Sequence, residues 1–131
     1  MWKIMVVDDN AANRELLVEV VAEVADCVVA GNGREAFEHY KKALAGKHPF
    51  DLILLDIAMP EVDGLAFLEM VRKFEADTDV ELGQGVPIIM VTAFDQPFMR
   101  AFNLGCDDYI LKPIDADQLL GKIKMKLAGK K

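Results

Sequence analysis

Basic side chains are scarce in this chain: 15 Lys and Arg stand against 22 Asp and Glu, a formal net charge of −7 over 131 residues. The scarcity is sharper than the total suggests. Lys122, Lys124, Lys126, Lys130 and Lys131 crowd the far end, where no acid stands among them. Phosphate contacts need clustered Lys and Arg, so the acidic body argues against direct nucleic-acid binding. Cysteine is also sparse. Cys27 and Cys106 are too few for a disulfide framework and lack metal-ligand spacing, so buried, reduced thiols in a cytoplasmic protein are expected. No apolar run approaches the ~18 residues of a membrane span. The start, Met1-Trp2-Lys3-Ile4, has no basic stretch followed by a long apolar core, so no secretory signal is read there. Apolar residues are not scarce. At 53% they can build a core for one domain of ordinary size.

Those apolar residues alternate between two patterns. Short runs at Ile4–Val7, Cys27–Ala30, Leu52–Leu55, Ile88–Val91 and Tyr109–Leu111 are rich in Ile, Val and Leu and do not alternate with polar residues. Such runs suit strands buried on both faces of a parallel sheet. Between them lie helical spacings: Leu16, Leu17, Val20, Val21 and Val24, then Ala36, Phe37, Tyr40 and Leu44, then Leu65, Phe67, Leu68 and Val71. A shorter set holds Phe98, Ala101 and Phe102, and a last set holds Ala116, Leu119, Leu120, Ile123 and Leu127. Asp115, with Gln118 three residues on, marks the N-terminus of that last helix. Strand–helix repeated five times predicts right-handed crossovers and an α/β fold: a five-stranded parallel sheet with helices on both faces, flavodoxin-like and doubly wound. Glu75 to Gly85 has no clean period and is expected to be a loop.

Ligands of such sheets bind beyond the C-terminal strand ends. Strand one ends in Asp8-Asp9, strand three in Asp56, strand four in Thr92-Ala93 and strand five in Lys112-Pro113. Three carboxylates, a hydroxyl and an ammonium then converge on one crevice. Three carboxylates in one site repel, and a divalent cation removes that cost. Oxygen ligands without His or Cys suit Mg²⁺. His39 and His48 lie on or after the second helix, away from the crevice.

Four stretches, in order, carry a resemblance: Val6-Val7-Asp8-Asp9-Asn10, Asp51 to Gly64 with Asp56, Met59-Pro60 and Asp63 inside it, Pro87 to Ala93 with Thr92, and Gly105 to Pro113 with Tyr109 and Lys112. The chain resembles the CheY-like receiver domain of two-component response regulators over nearly its whole length, 1–131, with no output domain expected. The resemblance implies that Asp56 is the phospho-acceptor, taking a phosphoryl group from the phosphohistidine of a sensor histidine kinase or phosphotransfer protein. It implies Mg²⁺ held by Asp9, Asp56 and the backbone carbonyl of Ala58, with Asp8 acting mainly through bridging water. Thr92 and Lys112 would contact phosphoryl oxygens. Thr92 and Tyr109 would form a switch acting on the surface of the fourth helix, fifth strand and fifth helix, where a downstream protein partner docks. A monomer or a phosphorylation-dependent dimer is expected. The resemblance also implies a cis Lys112-Pro113 bond and a kinase contact near Asn13, Arg14 and Leu17. Gly64 is expected to supply a positive-φ turn.

Some positions depart from the pattern. Ala58 and Phe94 flank the acceptor where side chains tune phosphoryl lifetime, and neither can position an attacking water. A long-lived phosphoaspartate shielded by Phe94 is therefore expected. The fourth helix is expected to be short, starting near Pro97, with Phe98 and Phe102 in the core and Met99 open to a partner. Two alternatives are weaker. An aspartyl-phosphate phosphohydrolase needs a second Asp two residues past the nucleophile, where Ala58 stands. A flavodoxin-like ligand-binding module needs a glycine-rich phosphate loop after strand one, where Asp8-Asp9 stands.

Overall fold

Each apolar run forms a strand and each amphipathic stretch a helix in the computed structural model, which describes residues 1–59, 61–78, 80, 84–93 and 97–128. The strands are β1 (Trp2–Val7), β2 (Ala25–Ala30), β3 (Leu52–Leu55), β4 (Ile88–Thr92) and β5 (Asp108–Leu111). The helices are α1 (Ala11–Val21), α2 (Gly33–Ala45), α3 (Gly64–Asp77), α4 (Phe98–Leu104) and α5 (Ala116–Leu127). The strands pair in parallel in the order β2-β1-β3-β4-β5. This is the expected doubly wound sheet.

The unbroken apolar runs of β1, β3 and β4 follow from burial on both faces, whereas the edge strands β2 and β5, against expectation, leave Val29 and Leu111 exposed. Met5, Val7, Ile53, Leu55, Ile88 and Met90 point to the side of α2, α3 and α4, with Tyr40, Phe67, Leu68, Val71 and Ala101. Ile4, Val6, Leu52, Leu54, Ile89, Val91 and Ile110 point to the side of α1 and α5, with Leu17, Val21, Leu119, Ile123 and Leu127. The strand period of two thus feeds two separate apolar layers.

Helix starts are set by short polar side chains. Asn10, Asn32, Asp63 and Asp115 each accept a hydrogen bond from the backbone N–H three residues on, at Asn13, Glu35, Ala66 and Gln118. Such caps satisfy donors that the helix leaves orphaned. α4 follows Pro97 with no side-chain cap.

Several expectations need correction. Glu75, Ala76 and Asp77 continue α3 rather than opening a loop, with the Glu75 side chain turned inward to Arg72 and to Val86 N–H; residues 79 and 81–83 of the expected loop lie outside the described residues. Phe98 and Phe102 are exposed, not core. In the short α4 only Ala101 is fully buried, with Leu104 packed partly against the core. Leu17 is buried against the sheet and cannot face a partner. Gly64 has no positive φ; among the described residues Gly105, at 105°, is the one glycine that does. Gly64 is required for a different reason. A Cβ there would strike the carbonyl of Asp56. The Lys122 ammonium on α5 holds the Asp108 carboxylate at 3.1 Å. The Lys112-Pro113 bond is cis, as expected.

Candidate functional site

The sheet order puts β1 beside β3, and the register pairs Val7 with Leu55. The next residue on each strand, Asp8 and Asp56, therefore emerges at the same level at the topological switch point. Asp8 N–H donates to Ala30 O at 3.1 Å and Asp56 N–H to Val7 O at 2.9 Å, so both backbones are tied to the sheet. On the other side of β3, Thr92 pairs in register with Leu111. Lys112 N–H donates to Thr92 O at 2.8 Å, which carries the lysine to the same edge.

The side chains converge. Carboxylate oxygens of Asp8, Asp9 and Asp56 all lie within 4.8 Å of one another. Asp8 and Asp56 are buried and Asp9 is exposed, so the group opens to solvent on one side. All donors are oxygens, a set that suits a hard divalent cation. Lys112 Nζ lies 2.8 Å from Asp8 Oδ2 and 3.1 Å from Asp56 Oδ2. Burial alone pushes the Lys112 ammonium down, but the hydrogen bond to Asp8 and the charge of Asp56 outweigh it, and its pKa rises above the ordinary lysine value. Asp8 Oδ1 also accepts from Asn10 N–H at 2.9 Å, and Asp56 Oδ1 from Ala58 N–H at a long 3.4 Å. Thr92 is fully buried at the end of β4.

Asp8, Asp9, Asp56 and Lys112 thus meet directly, with Thr92 at the same edge of the sheet. Ala58 is an exposed residue of the loop after β3. Tyr109, half-buried on β5, packs its ring 5.3 Å from that of Phe98. Met99 is exposed at 65%, as expected. Phe94, Pro60, Lys130 and Lys131 lie outside the described residues.

Sequence reasoning missed two arginine roles. Arg14 donates to the carbonyl of Asp8 at 3.0 Å, bracing the acidic strand end from α1. Arg72 on α3 holds Glu75 and Asp107. Arg14 carries a weak signal, since it lies one helical turn past an N-cap that follows the acids. Arg72 carries none, because Asp107 is far away in sequence.

Comparisons with known proteins bear on the family and the fold. The family model described as response regulator receiver domain matches residues 4–124. The chemotaxis protein CheY of Bacillus subtilis is 34% identical over 129 residues, covering 95% of this chain and 97% of that protein. The transcriptional regulatory protein DltR of Streptococcus agalactiae is 34% identical over 127 residues, covering 95% of this chain. This chain spans 51% of DltR, about half its length, as it does for several of the curated relatives it matches. The crystallised chemotaxis protein CheY4 of Vibrio cholerae superposes with a TM-score of 0.80 at 26% identity, covering 97% of this chain and 99% of that one. With the acidic strand ends of β1 and β3 facing a lysine that follows β5, on a sheet of order 2-1-3-4-5, the chain belongs to the response regulator receiver domain family, the CheY-like signalling domains of two-component systems.

Proposed function

We propose that Asp56 is the phospho-acceptor of this receiver and that 1–131 acts as one phosphotransfer domain. The observation that carries this is the placement of the Asp56 carboxylate, 3.1 Å from Lys112 Nζ and grouped with Asp8 and Asp9. A carboxylate oxygen of Asp56 attacks the phosphorus of a phosphohistidine on a histidine kinase or phosphotransfer protein. The P–N bond breaks, its electron pair returns to the imidazole, and an acyl phosphate forms on Asp56. Lys112 swings its charge from the free carboxylates to a phosphoryl oxygen, and Thr92 supplies a hydroxyl to another. Asp8, Asp9, Asp56 and the carbonyl of Ala58 would hold Mg²⁺, which supplies charge neutralisation for phosphoryl oxygens when bound. Phosphoryl transfer depends mainly on such positioning and electrostatics.

Thr92 and Tyr109 then bias the face built from α4, β5 and α5 toward a protein partner, by selecting a conformer already present. The apolar side chains exposed there, Phe98, Met99 and Leu111, support a docking role. The domain serves signalling rather than turnover of a free substrate. Among the described residues no helix is long and apolar enough to cross a membrane, and we place the work of the domain in the cytoplasm, where kinases of this class present their phosphohistidine. Acetyl phosphate with Mg²⁺, read by intact mass, tests the assignment. The chain should gain one phosphoryl group and Asp56→Asn none. Equal labelling of Asp56→Asn would overturn it.

A further inference from the structure

Arg72 ties together segments that a receiver switch must either move or hold. Its Nε donates to Gly105 O at 2.9 Å, its Nη1 to Glu75 Oε1 at 2.8 Å and its Nη2 to Asp107 Oδ2 at 3.0 Å. The two carboxylates pass the tie onward. Asp107 Oδ2 accepts from Ile88 N–H and Glu75 Oε2 from Val86 N–H, each at 2.8 Å. Glu75 is buried, a position a carboxylate keeps only when charge and hydrogen bonds are met. One guanidinium fork therefore joins α3 to the C-terminal end of α4 and to the starts of β4 and β5.

The two ends of α4 are unequal. At its C-terminus Gly105 adopts φ 105°, its N–H donates to Phe102 O at 3.0 Å, and Cys106 N–H donates to Ala101 O at 3.1 Å. This closes the helix with paired bonds before Arg72 adds its own. The Arg72 side chain also packs under Gly105, where a Cβ would stand 3.1 Å from its Nε. At the N-terminus Pro97 offers no side-chain cap, and Phe98 and Met99 are exposed. Helices this short need external support, and among the described residues the side-chain hydrogen bonds to α4 fall at its C-terminal end. At the other end Phe98 rests on the ring of Tyr109.

We propose that Arg72 is a fulcrum for α4. It fixes the C-terminal end, so that displacement arising at the Thr92 and Tyr109 end swings only the first turn, with Phe98 and Met99. Arg72 is a positioning residue: it touches neither the acidic site nor the exposed face. What drives the swing rests on Asp56 being the phospho-acceptor, whereas the unequal anchoring of α4 does not.

Residue-resolved amide hydrogen exchange on the whole chain tests this, with beryllium fluoride and Mg²⁺ as the phosphoryl mimic. Without the mimic, amides near Leu104 to Cys106 should exchange slowly and those near Met99 fast. Arg72→Gln should speed the former by about tenfold while β1 and β3 keep their protection. With the mimic, the wild type should change near Phe98 to Arg100 and stay fixed at Gly105 to Asp107, and Arg72→Gln should spread the change to both. Arg72→Lys keeps the charge but cannot make the fork, and it replaces Arg72→Gln if that variant folds poorly. A uniform rise through the whole fold, or equal changes at both ends of α4 in the wild type, would overturn the fulcrum. If the mimic moves no amide, including those of Asp9 and Ala58, the acceptor assignment fails instead, and the exchange gradient without the mimic still decides the anchoring.

Discussion

Asp8 and Lys112, 104 positions apart in sequence, meet at 2.8 Å with the Asp8 carboxylate wholly buried. The lysine does two jobs from one position, because its ammonium also balances Asp56 at 3.1 Å. It is the counter-charge that lets two buried carboxylates coexist at the edge of the sheet.

Removing that counter-charge should destabilise the fold. Lys112→Met keeps the length of the side chain and strands Asp8 and Asp56. Stranding a buried ion-pair partner costs ~3–5 kcal/mol in a closed interior. This site opens to solvent at Asp9, so a loss of about 2 kcal/mol is expected. Urea unfolding without divalent cation measures it. A change under about 0.5 kcal/mol, the ordinary surface range, would show that Lys112 does not carry this role.

Mg²⁺ should stabilise the folded chain through the same acids. A ligand at ten times its dissociation constant adds about 1.4 kcal/mol. Thermal unfolding with and without saturating Mg²⁺ should therefore show a clear rise in the wild type and little in Asp9→Ala. Asp9 is the residue to change because it is exposed and its loss leaves the core intact. Lys112→Met should gain more from the ion than the wild type, since its carboxylates lack their lysine.

How much of this was legible in sequence differs between residues for physical reasons. Asp8, Asp56 and Lys112 each follow an apolar run, and in a parallel sheet the end of a strand is also its ligand edge, so pattern alone locates them. Phe98 and Phe102 misled because helical spacing says which residues share a face, not whether anything covers that face. With only Ala101 buried, α4 turns its aromatics outward. The inward turn of Glu75 was invisible because a buried carboxylate depends on Arg72 three residues back and on Val86 N–H eleven residues on. Gly64 was rightly noticed and wrongly explained. Its constraint is an approach to the Asp56 carbonyl that no local turn rule reports.

The contribution of Lys112 should have an alkaline boundary. Its pKa is raised in the fold above the ordinary 10.5, so the folded state holds that proton more tightly than the unfolded chain does. Its stabilisation is then complete below 10.5 and is lost as pH climbs through the folded value. The difference in urea stability between wild type and Lys112→Met should be flat from neutral pH to about 9 and shrink above the ordinary lysine range. Comparing the pair cancels other groups that titrate there. A difference that disappears near pH 7 would contradict the ion-pair geometry.

Cys106 should be slow to alkylate in the native state. Burial, with the charge of Asp107 beside it, pushes its thiol up to about 11. At pH 8 the thiolate is then roughly a hundredfold scarcer than for a free thiol. Cys27 is less buried, and its pKa is also raised, by burial and then by Asp26. Iodoacetamide labelling read by peptide mass should modify Cys27 first and reach Cys106 on the timescale of unfolding.

Two glycines should respond in opposite directions to the same substitution. Gly64→Ala places a methyl against the carbonyl of Asp56 and the Cα of Ile57. Both are backbone atoms of the acceptor loop and cannot yield as a side-chain end can. Overpacking of this kind costs about 1–3 kcal/mol, and relieving it displaces the backbone that carries Asp56. Gly64→Ala should therefore lose stability and also slow phosphorylation by acetyl phosphate. Gly121 lies on the exposed side of α5 with nothing within 4 Å of its added Cβ. There the helical preference for alanine acts alone, and Gly121→Ala should gain roughly 0.8–1.0 kcal/mol with the phosphorylation rate unchanged. Equal effects from both variants would mean that the glycines act through chain flexibility alone. A loss confined to Gly64→Ala ties stability and chemistry to one close approach, between the first residue of α3 and the strand end that presents Asp56.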